Sequence, residues 1–314
     1  MDSVWSIAFL VAVLSAAIPA GTAILYACLG ELLSERSGVL NLGVEGMMLM
    51  GALGGVAVTI WTGSAWIGVL GAILAGAAMA SLHAIVTVGL RANQVVSGLA
   101  LTLLGTGLSA FLGRNLVGKP LPSKFGDVSI PLLGDIPKLG DILFDQSPLV
   151  YLSFVVAPVM WWYIFRTQPG LHLRSIGENP AAADAMGVPV NWLRFLYVII
   201  GGGFAGLGGA VISLSTNPGW TEGMTAGRGW IAVALVIFAG WNPAWAVAGA
   251  YLFGGVQAGQ FQLQTVGVGI SPFFLNMLPY LFTVIVLVIA SGDFARKRIG
   301  APAALGRPFL REER

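Results

Sequence analysis

Long apolar runs alternate with short polar hinges along most of this chain. Each run approaches the roughly 20 apolar residues with which a helix crosses a bilayer. The pattern predicts an all-α integral membrane protein, a polytopic helical bundle of about nine spans in a single domain, residues 1–314. The predicted spans are Ile7–Gly30, Leu40–Trp61, Trp66–Leu90, Val95–Leu112, Leu149–Phe165, Phe195–Leu214, Trp230–Gly240, Ala244–Phe261 and Phe274–Ser291.

Two of these runs are predicted to be broken. The run Trp230–Gly240 is too short to cross a bilayer as a straight helix. The run Leu40–Trp61 holds five glycines together with Asn41 and Glu45 near its start. Polar and flexible residues at the start of an apolar run indicate that its helix is interrupted there.

The composition makes lipid the solvent of this chain. Only 10% of its residues are charged, 56% are hydrophobic and the mean hydropathy is +0.84, whereas a soluble domain carries roughly 25% charged residues. So few charges cannot cover a surface in water. The single cysteine, Cys28, excludes an intramolecular disulfide.

The basic residues predict the orientation. One set of hinges, including residues 167–193 and the tail 293–314, carries 11 of the 16 Lys and Arg residues. The positive-inside rule places this set in the cytoplasm. The N-terminus then lies outside, the C-terminus lies in the cytoplasm, and residues 113–148 form an extracytoplasmic loop.

The loop 167–193 contains a short helical signal. Asn179 is a good N-cap and Pro180 fits the first helical position. Gly187 and Pro189 end the helix. A helix of about two turns is too short to be stable alone, so we expect a partner surface to hold it.

Glu45 is the one carboxylate deep in a predicted span. Ionisable groups inside membranes are costly and usually functional, which favours a role in a transport pathway. The alternative is structural, with the apolar helix beginning near Gly46 and Glu45 at its N-terminus, where the helix dipole favours a carboxylate. We place the structural role somewhat ahead, although a break that lines a pathway serves both.

Further pathway candidates lie in the polar hinge Thr216–Trp230 and near the end of a later run. Asn217 and Trp220 belong to the hinge, and Gln257 begins a dense group of glutamines. Trp220 also fits the aromatic belt at a membrane interface. The glycine pairs Gly51/Gly55 and Gly202/Gly206 permit close helix packing, either inside the bundle or against a sliding or partner surface.

Enzymatic chemistry has no support in the sequence. The segment from Gly113 to Lys119 nearly matches a phosphate-binding loop, but Pro120 replaces the Ser or Thr that binds Mg²⁺ and no strand precedes it. His83 and His172 have no Cys, Asp or Glu at ligand spacing. We expect no enzyme, no metal and no cofactor, and any ATP hydrolysis must belong to another subunit.

Three segments resemble one family. They are residues 30–46 (Gly-Glu-Leu-Leu-Ser-Glu-Arg-Ser-Gly-Val-Leu-Asn-Leu-Gly-Val-Glu-Gly), residues 174–187 (Arg-Ser-Ile-Gly-Glu-Asn-Pro-Ala-Ala-Ala-Asp-Ala-Met-Gly) and residues 226–234 (Ala-Gly-Arg-Gly-Trp-Ile-Ala-Val-Ala). The chain resembles the permease subunits of bacterial ABC importers for simple sugars, nucleosides and branched-chain amino acids, especially the nucleoside branch. The resemblance covers roughly Leu14 to Gly292.

The resemblance implies a mechanism and a set of partners. The helix after Asn179 would be the coupling helix that docks on an ABC ATPase subunit. A second related permease would usually form a heterodimer with this chain. An extracytoplasmic substrate-binding lipoprotein would complete the complex. The chain would form half of a pathway for a nucleoside or simple sugar in the bacterial cytoplasmic membrane, with no nucleic acid as partner. The residues that match the coupling loop are Gly177, Glu178, Asn179, Pro180, Ala181, Ala182 and Gly187.

Two alternatives remain open at this stage. One is an ABC permease for branched-chain amino acids. The other is a self-sufficient secondary transporter or channel in which Glu45 carries a proton or ion. The match of Asn41, Gly43, Glu45 and Gly46 to the second-span motif of the family does not separate a pathway role from a structural one.

Overall fold

A computed structural model describes residues 7–266, 271–290 and 300–310. The fold is mostly helical, at 74%, with little strand. In the described part of the chain, the α-helices are supplemented by three π-helical segments, 85–89, 140–144 and 212–216, and by the two-residue strands β1 (Val128–Ser129) and β2 (Asp145–Gln146). Within the described residues these are α1 (Ile7–Arg36), α2 (Val44–Thr62), α3 (Ala65–Ala84), α4 (Gln94–Gly113), α5 (Pro148–Arg166), α6 (Gln168–Glu178), α7 (Pro180–Ala185), α8 (Val190–Val211), α9 (Arg228–Phe238), α10 (Pro243–Thr265) and α11 (Pro272–Ala290).

Most of the hinges lie at two ends of the bundle. At one end, called the loop end, residues 113–148 contact α1 through the bond from Ser15 Oγ to the Asp141 carbonyl. At the other, called the tail end, residues 300–310 bond to the hinge after α1 and to the end of α6. The predicted cytoplasmic hinges that are described lie at the tail end. Arg296, Lys297 and Arg298 lie outside the described residues, and which end faces the cytoplasm stays a prediction.

Six helical segments of the described residues are long and apolar enough to cross a membrane. The expected total of nine therefore stays a prediction. Helix α9 has only 11 residues, as the short run indicated, and at 1.5 Å per residue it covers about 16 Å, roughly half of a hydrocarbon core of about 30 Å. The six are Ile7–Arg36, Val44–Thr62, Ala65–Gly89, Gln94–Gly113, Pro148–Arg166 and Val190–Thr216.

The core forms where α1, α2, α3 and α8 pack on one another. Their contacts depend on glycine, because a Cβ atom at Gly51 would meet the backbone of Gly206 and a Cβ atom at Gly76 would meet the carbonyl of Gly202. Backbones can approach this closely only where side chains are absent. The glycine pairs of the sequence therefore serve packing inside the bundle.

The loop 113–148 is more ordered than an irregular surface loop. Its strands β1 and β2 pair antiparallel, with Val128 opposite Gln146. Phe125 is buried, packs edge-on against Trp66 with ring centroids 4.8 Å apart, and donates its N–H to the Leu214 carbonyl at 2.9 Å. The loop is therefore fixed to the start of α3 and to the π-helical segment 212–216 that follows α8.

Candidate functional site

The predicted short helix is present as α7. The Asn179 side-chain oxygen accepts a hydrogen bond from the Ala182 N–H at 3.0 Å, so it caps the helix as expected. Gly187 follows the helix with φ +83°, a conformation that favours glycine. A further helix, α6, precedes it and begins at the Thr167 cap, where the side-chain oxygen accepts the Gly170 N–H at 3.2 Å.

Most of the predicted coupling residues are accessible. Ala181 and Ala182 are exposed on α7, and Met186, which follows the helix, is 84% exposed. Glu178, Asn179 and Gly187 are exposed as well, whereas Pro180 is half-buried. Gly177 is the exception, since a Cβ atom at this position would meet the Arg36 carbonyl. The loop thus presents small side chains outward while its base is fixed to the tail end of α1.

The predicted break before α2 is present. Helix α2 begins at Val44, and the side-chain oxygen of Asn41 accepts the Gly43 N–H at 3.0 Å. The Asn41 N–H donates to Glu31 Oε1 at 3.0 Å, and the Asn41 side chain is buried. Asn41 therefore shapes the break.

Glu45 lies about halfway through the bundle. Its neighbour Gly46 packs against Gly105, which is 11 residues into α4 and so about 17 Å from the start of that helix. The carboxylate accepts three hydrogen bonds at the start of α9: from Thr225 Oγ1 at 2.6 Å, from the Gly227 N–H at 2.8 Å and from the Gly229 N–H at 2.7 Å.

This geometry corrects the structural interpretation of Glu45 in one respect. Glu45 was predicted at the N-terminus of its own helix and lies in the first turn of α2, but its carboxylate binds the N-terminus of α9. Ala226 (φ +48°) and Gly227 (φ +80°) turn the backbone so that the N–H groups face the carboxylate. Because the partial positive charge of a helix N-terminus favours an anion, Glu45 joins the break before α2 to the break before α9.

Arg228 is one of the five Lys and Arg residues of the opposite, predicted outer set of hinges, but it lies inside the bundle next to this junction. Its Nη1 donates to the carbonyls of Met224 and Thr225 at 3.1 and 3.2 Å, and its Nε donates to Gln257 Oε1 at 3.3 Å. Arg228 thereby links Gln257 on α10 to the start of α9, which Glu45 on α2 also binds. Both Arg228 and Gln257 are half-buried.

The other two pathway candidates lie nearer the loop end. Asn217 is exposed after the π-helical segment 212–216. Trp220 is buried rather than interfacial, forms a parallel bridge with Val117 and packs against Gly113. Its indole N–H has no hydrogen-bond partner within the described part of the chain. The structure therefore does not bring these two residues to the Glu45 junction.

Sequence reasoning missed two buried carboxylates. The first span was expected to end at Gly30, but α1 continues to Arg36 and leaves Glu31 and Glu35 each only 1% exposed. Glu35 Oε2 accepts the Trp241 indole N–H at 2.5 Å, and Arg36 donates to the Trp241 carbonyl at 2.8 and 3.0 Å. The i, i+4 spacing of the two glutamates was the available signal, because it puts both on one helix face.

His83 is a packing residue, as its position in a span indicated. Its Nδ1 lies 2.9 Å from Ser97 Oγ, and its Nε2 lies 3.1 Å from the Leu40 carbonyl. Among the described residues, no group of three or more His, Cys, Asp or Glu side chains is placed to hold a metal ion.

The fold and the site define a class, a helical membrane protein with two helix breaks joined near its middle and a short helix presented at one end. More narrowly, the chain belongs to the family described as branched-chain amino acid transport system / permease component, which matches residues 9–291. The expected family is thereby confirmed, and it is a family of transport permeases.

Named relatives extend over nearly the whole chain. It is 43% identical to the putative glucose ABC transporter permease protein TsgC13 of Haloferax volcanii, over 97% of this chain and 99% of that protein. It is 35% identical to the guanosine ABC transporter permease protein NupQ of Bacillus subtilis, over 97% and 99%. A second guanosine ABC transporter permease protein of Bacillus subtilis, NupP, is 28% identical over 73% of this chain and 68% of that protein.

Proposed function

We propose that this chain is one permease subunit of an ABC importer in a bacterial cytoplasmic membrane. It forms half of the translocation pathway for a nucleoside or simple sugar, and a separate ATPase subunit moves it through α7. The names of the relatives support the substrate class, since they cover glucose and guanosine. The pair NupQ and NupP in one organism supports a second, related permease subunit. A substrate-binding lipoprotein would deliver solute at the loop end.

The observation that carries the coupling role is the exposed surface around α7. Helix α7 has six residues, and its outer positions include Ala181 and Ala182, so a partner can approach its backbone closely. Met186 and Trp192 nearby are 84% and 63% exposed. Because these apolar side chains lie in the predicted cytoplasmic loop, lipid does not cover them, and an exposed apolar patch of this kind fits a protein interface.

The junction at Glu45 supports a driven permease over an ion-coupled transporter. A carboxylate offers about four lone-pair acceptor sites, and those of Glu45 already accept two hydrogen bonds at Oε1 and one at Oε2, all from the segment that starts α9. Glu45 therefore holds the two breaks together. Arg228 and Gln257, which are half-buried beside the junction, are the polar groups that we assign to the pathway at this level.

The experiment that tests this function combines Asn179→Arg with Ala182→Arg in the reconstituted complex of permease, ATPase and binding protein. We expect the variant to insert normally and ATP hydrolysis to lose its link to solute uptake, because added bulk and charge prevent docking. Ala92→Arg, an exposed change in the hinge before α4, adds the same bulk and charge away from α7 and from the loop end; it is the matched control and should transport normally. Wild-type uptake by the double variant would refute the coupling role. Uphill transport by the chain alone in liposomes would refute the whole assignment.

A further inference from the structure

Residues 300–310, here called the tail strap, cross the tail end of the bundle. The Ala304 N–H donates to the Gly177 carbonyl at 2.9 Å, and the Gly306 N–H donates to the Gly38 carbonyl at 3.2 Å. Gly177 lies two residues before the Asn179 cap of α7, and Gly38 lies in the break before α2. Two neighbouring turns of the strap therefore bind the base of the short helix and the break at the same time.

A buried guanidinium completes this connection. Arg194, in the second turn of α8, is only 2% exposed. Its Nη1 donates to the Arg307 carbonyl of the strap at 3.1 Å, and its Nη2 donates to the Ile176 carbonyl of α6 at 3.3 Å. A buried charge is costly unless it is hydrogen-bonded. The strap thus supplies one of the acceptors that allow Arg194 to be buried.

The close approach of Arg194 to the break before α2 requires glycine at position 38. Gly38 has φ +92°, and a Cβ atom there would lie 2.6 Å from Arg194 Nη2. On the other side of α7, Phe309 of the strap lines a cavity of about 270 Å³ together with Asp184, Val188 and Trp192. The strap therefore contacts the base of the short helix and lines a cavity beside its C-terminal end.

We propose that the tail strap belongs to the coupling apparatus and transmits the movement of α7 to the break before α2. The inference rests on the proposed function, since it assumes that an ATPase moves α7. The strap and Arg194 link Gly177 to Gly38, which lies three residues before Asn41. Because Glu45 follows in the first turn of α2, a displaced break also pulls on the start of α9. The strap joins α7 to the break before α2, and Glu45 joins that break to α9. These two contacts give the coupling a continuous physical route.

The test compares two shortened chains in the reconstituted complex. One ends after Ile299 and lacks the strap, and the other ends after Leu310 and keeps it. We expect the chain without the strap to assemble and hydrolyse ATP, while solute uptake per ATP falls by about tenfold, within the range typical of coupling between sites. The chain that keeps the strap should match the wild type. Equal uptake per ATP for both shortened chains would overturn the proposal.

A second variant tests the same link without shortening the chain. Arg194→Lys keeps the charge but cannot reach two carbonyls with a planar fork, so uptake per ATP should fall in a complex that assembles normally. A wild-type ratio would overturn the proposal, as would failure of both this variant and the strapless chain to assemble, because the strap would then serve folding alone. The Asn179→Arg/Ala182→Arg variant is measured alongside. If it transports normally, the docking function fails; if it is uncoupled while the strapless chain is normal, only the strap inference fails.

Discussion

The Glu45 carboxylate accepts a hydrogen bond from the Gly229 N–H at 2.7 Å, although the two residues are 184 positions apart in the chain. Glu45 lies in the first turn of α2 and Gly229 in the first turn of α9. Two helix breaks that are far apart in sequence are therefore one structural unit near the middle of the bundle. A movement that reaches either break must also act on the other.

Deleting the Glu45 side-chain acceptor should destabilise the junction of α2 and α9 more than replacing the carboxylate with an amide. Glu45→Ala leaves Thr225 Oγ1 and the N–H groups of Gly227 and Gly229 without their acceptor, at a cost of about 1–3 kcal/mol for each buried group that stays unsatisfied. Glu45→Gln keeps one oxygen acceptor. We expect the thermal midpoint of the purified complex to fall clearly for Glu45→Ala and less for Glu45→Gln.

Transport by these variants separates the two roles of Glu45. If the carboxylate is structural, Glu45→Gln impairs uptake less than the Asn179→Arg/Ala182→Arg change does. Complete loss of uptake in a well-folded Glu45→Gln protein would instead assign Glu45 to the pathway. Uptake and the thermal midpoint are therefore measured on the same preparations.

A single methyl group at Gly229 should disrupt the same junction. A Cβ atom there would lie 2.5 Å from the backbone N and Cα of Glu45, closer than real Cβ atoms approach backbone. We expect Gly229→Ala to lower both stability and uptake. Gly107→Ala is the matched control, because Gly107 lies in α4 with nothing within 4 Å of the added carbon. That change should be neutral or stabilise by about 0.5–1 kcal/mol, and an equal loss at both sites would contradict the steric argument.

Local chemistry made parts of this molecule predictable. The Asn179 cap, Pro180 and the left-handed Gly187 are signals that act within a few residues, and α7 has the expected bounds. The apolar runs likewise located the long apolar helices. Glu45 shows where this approach stops. Its partners are contributed by a segment about 180 residues later, and no local pattern identifies them.

Burial of charge was the second property that the hydropathy pattern did not reveal. A hydropathy pattern ends a span at the first charged residues, which placed Glu31 and Glu35 in a hinge. In the fold, the Trp241 indole and the Asn41 N–H supply donors to these carboxylates, so α1 continues past them. Arg228 was misplaced for the same reason, because Gln257 and two carbonyls give its guanidinium acceptors inside the bundle.

Two buried tryptophans provide a test of the Glu35 contact. The Trp241 indole N–H donates to Glu35 Oε2, whereas the Trp220 indole N–H has no acceptor within the described residues. Both changes to Phe remove similar volume, but only Trp241→Phe leaves a buried carboxylate without its donor. We expect Trp241→Phe to be more destabilising by about 1–3 kcal/mol, measured as the difference in unfolding free energy or thermal midpoint. Equal effects would show that lost packing, and not the hydrogen bond, dominates.

Two of the capping asparagines provide the sharpest test of the short helix. Asn93 and Asn179 each accept a backbone N–H three residues ahead at 3.0 Å, so replacing either with Ala removes the same kind of bond. The loss costs roughly 1 kcal/mol at each site. Helix α4 has 20 residues and tolerates this loss, whereas α7 has only six residues, so one capping bond is a larger part of what holds it.

We therefore expect Asn179→Ala to lower solute uptake per ATP several-fold, within the typical range of coupling between sites, and Asn93→Ala to leave this ratio unchanged. Asn179→Ser keeps a side-chain acceptor at the cap and should restore most of the coupling. The measurement is uptake and ATP hydrolysis on the same proteoliposomes. Equal losses for the two Ala variants would mean that capping acts through overall stability, and α7 would then have no special part in moving the permease.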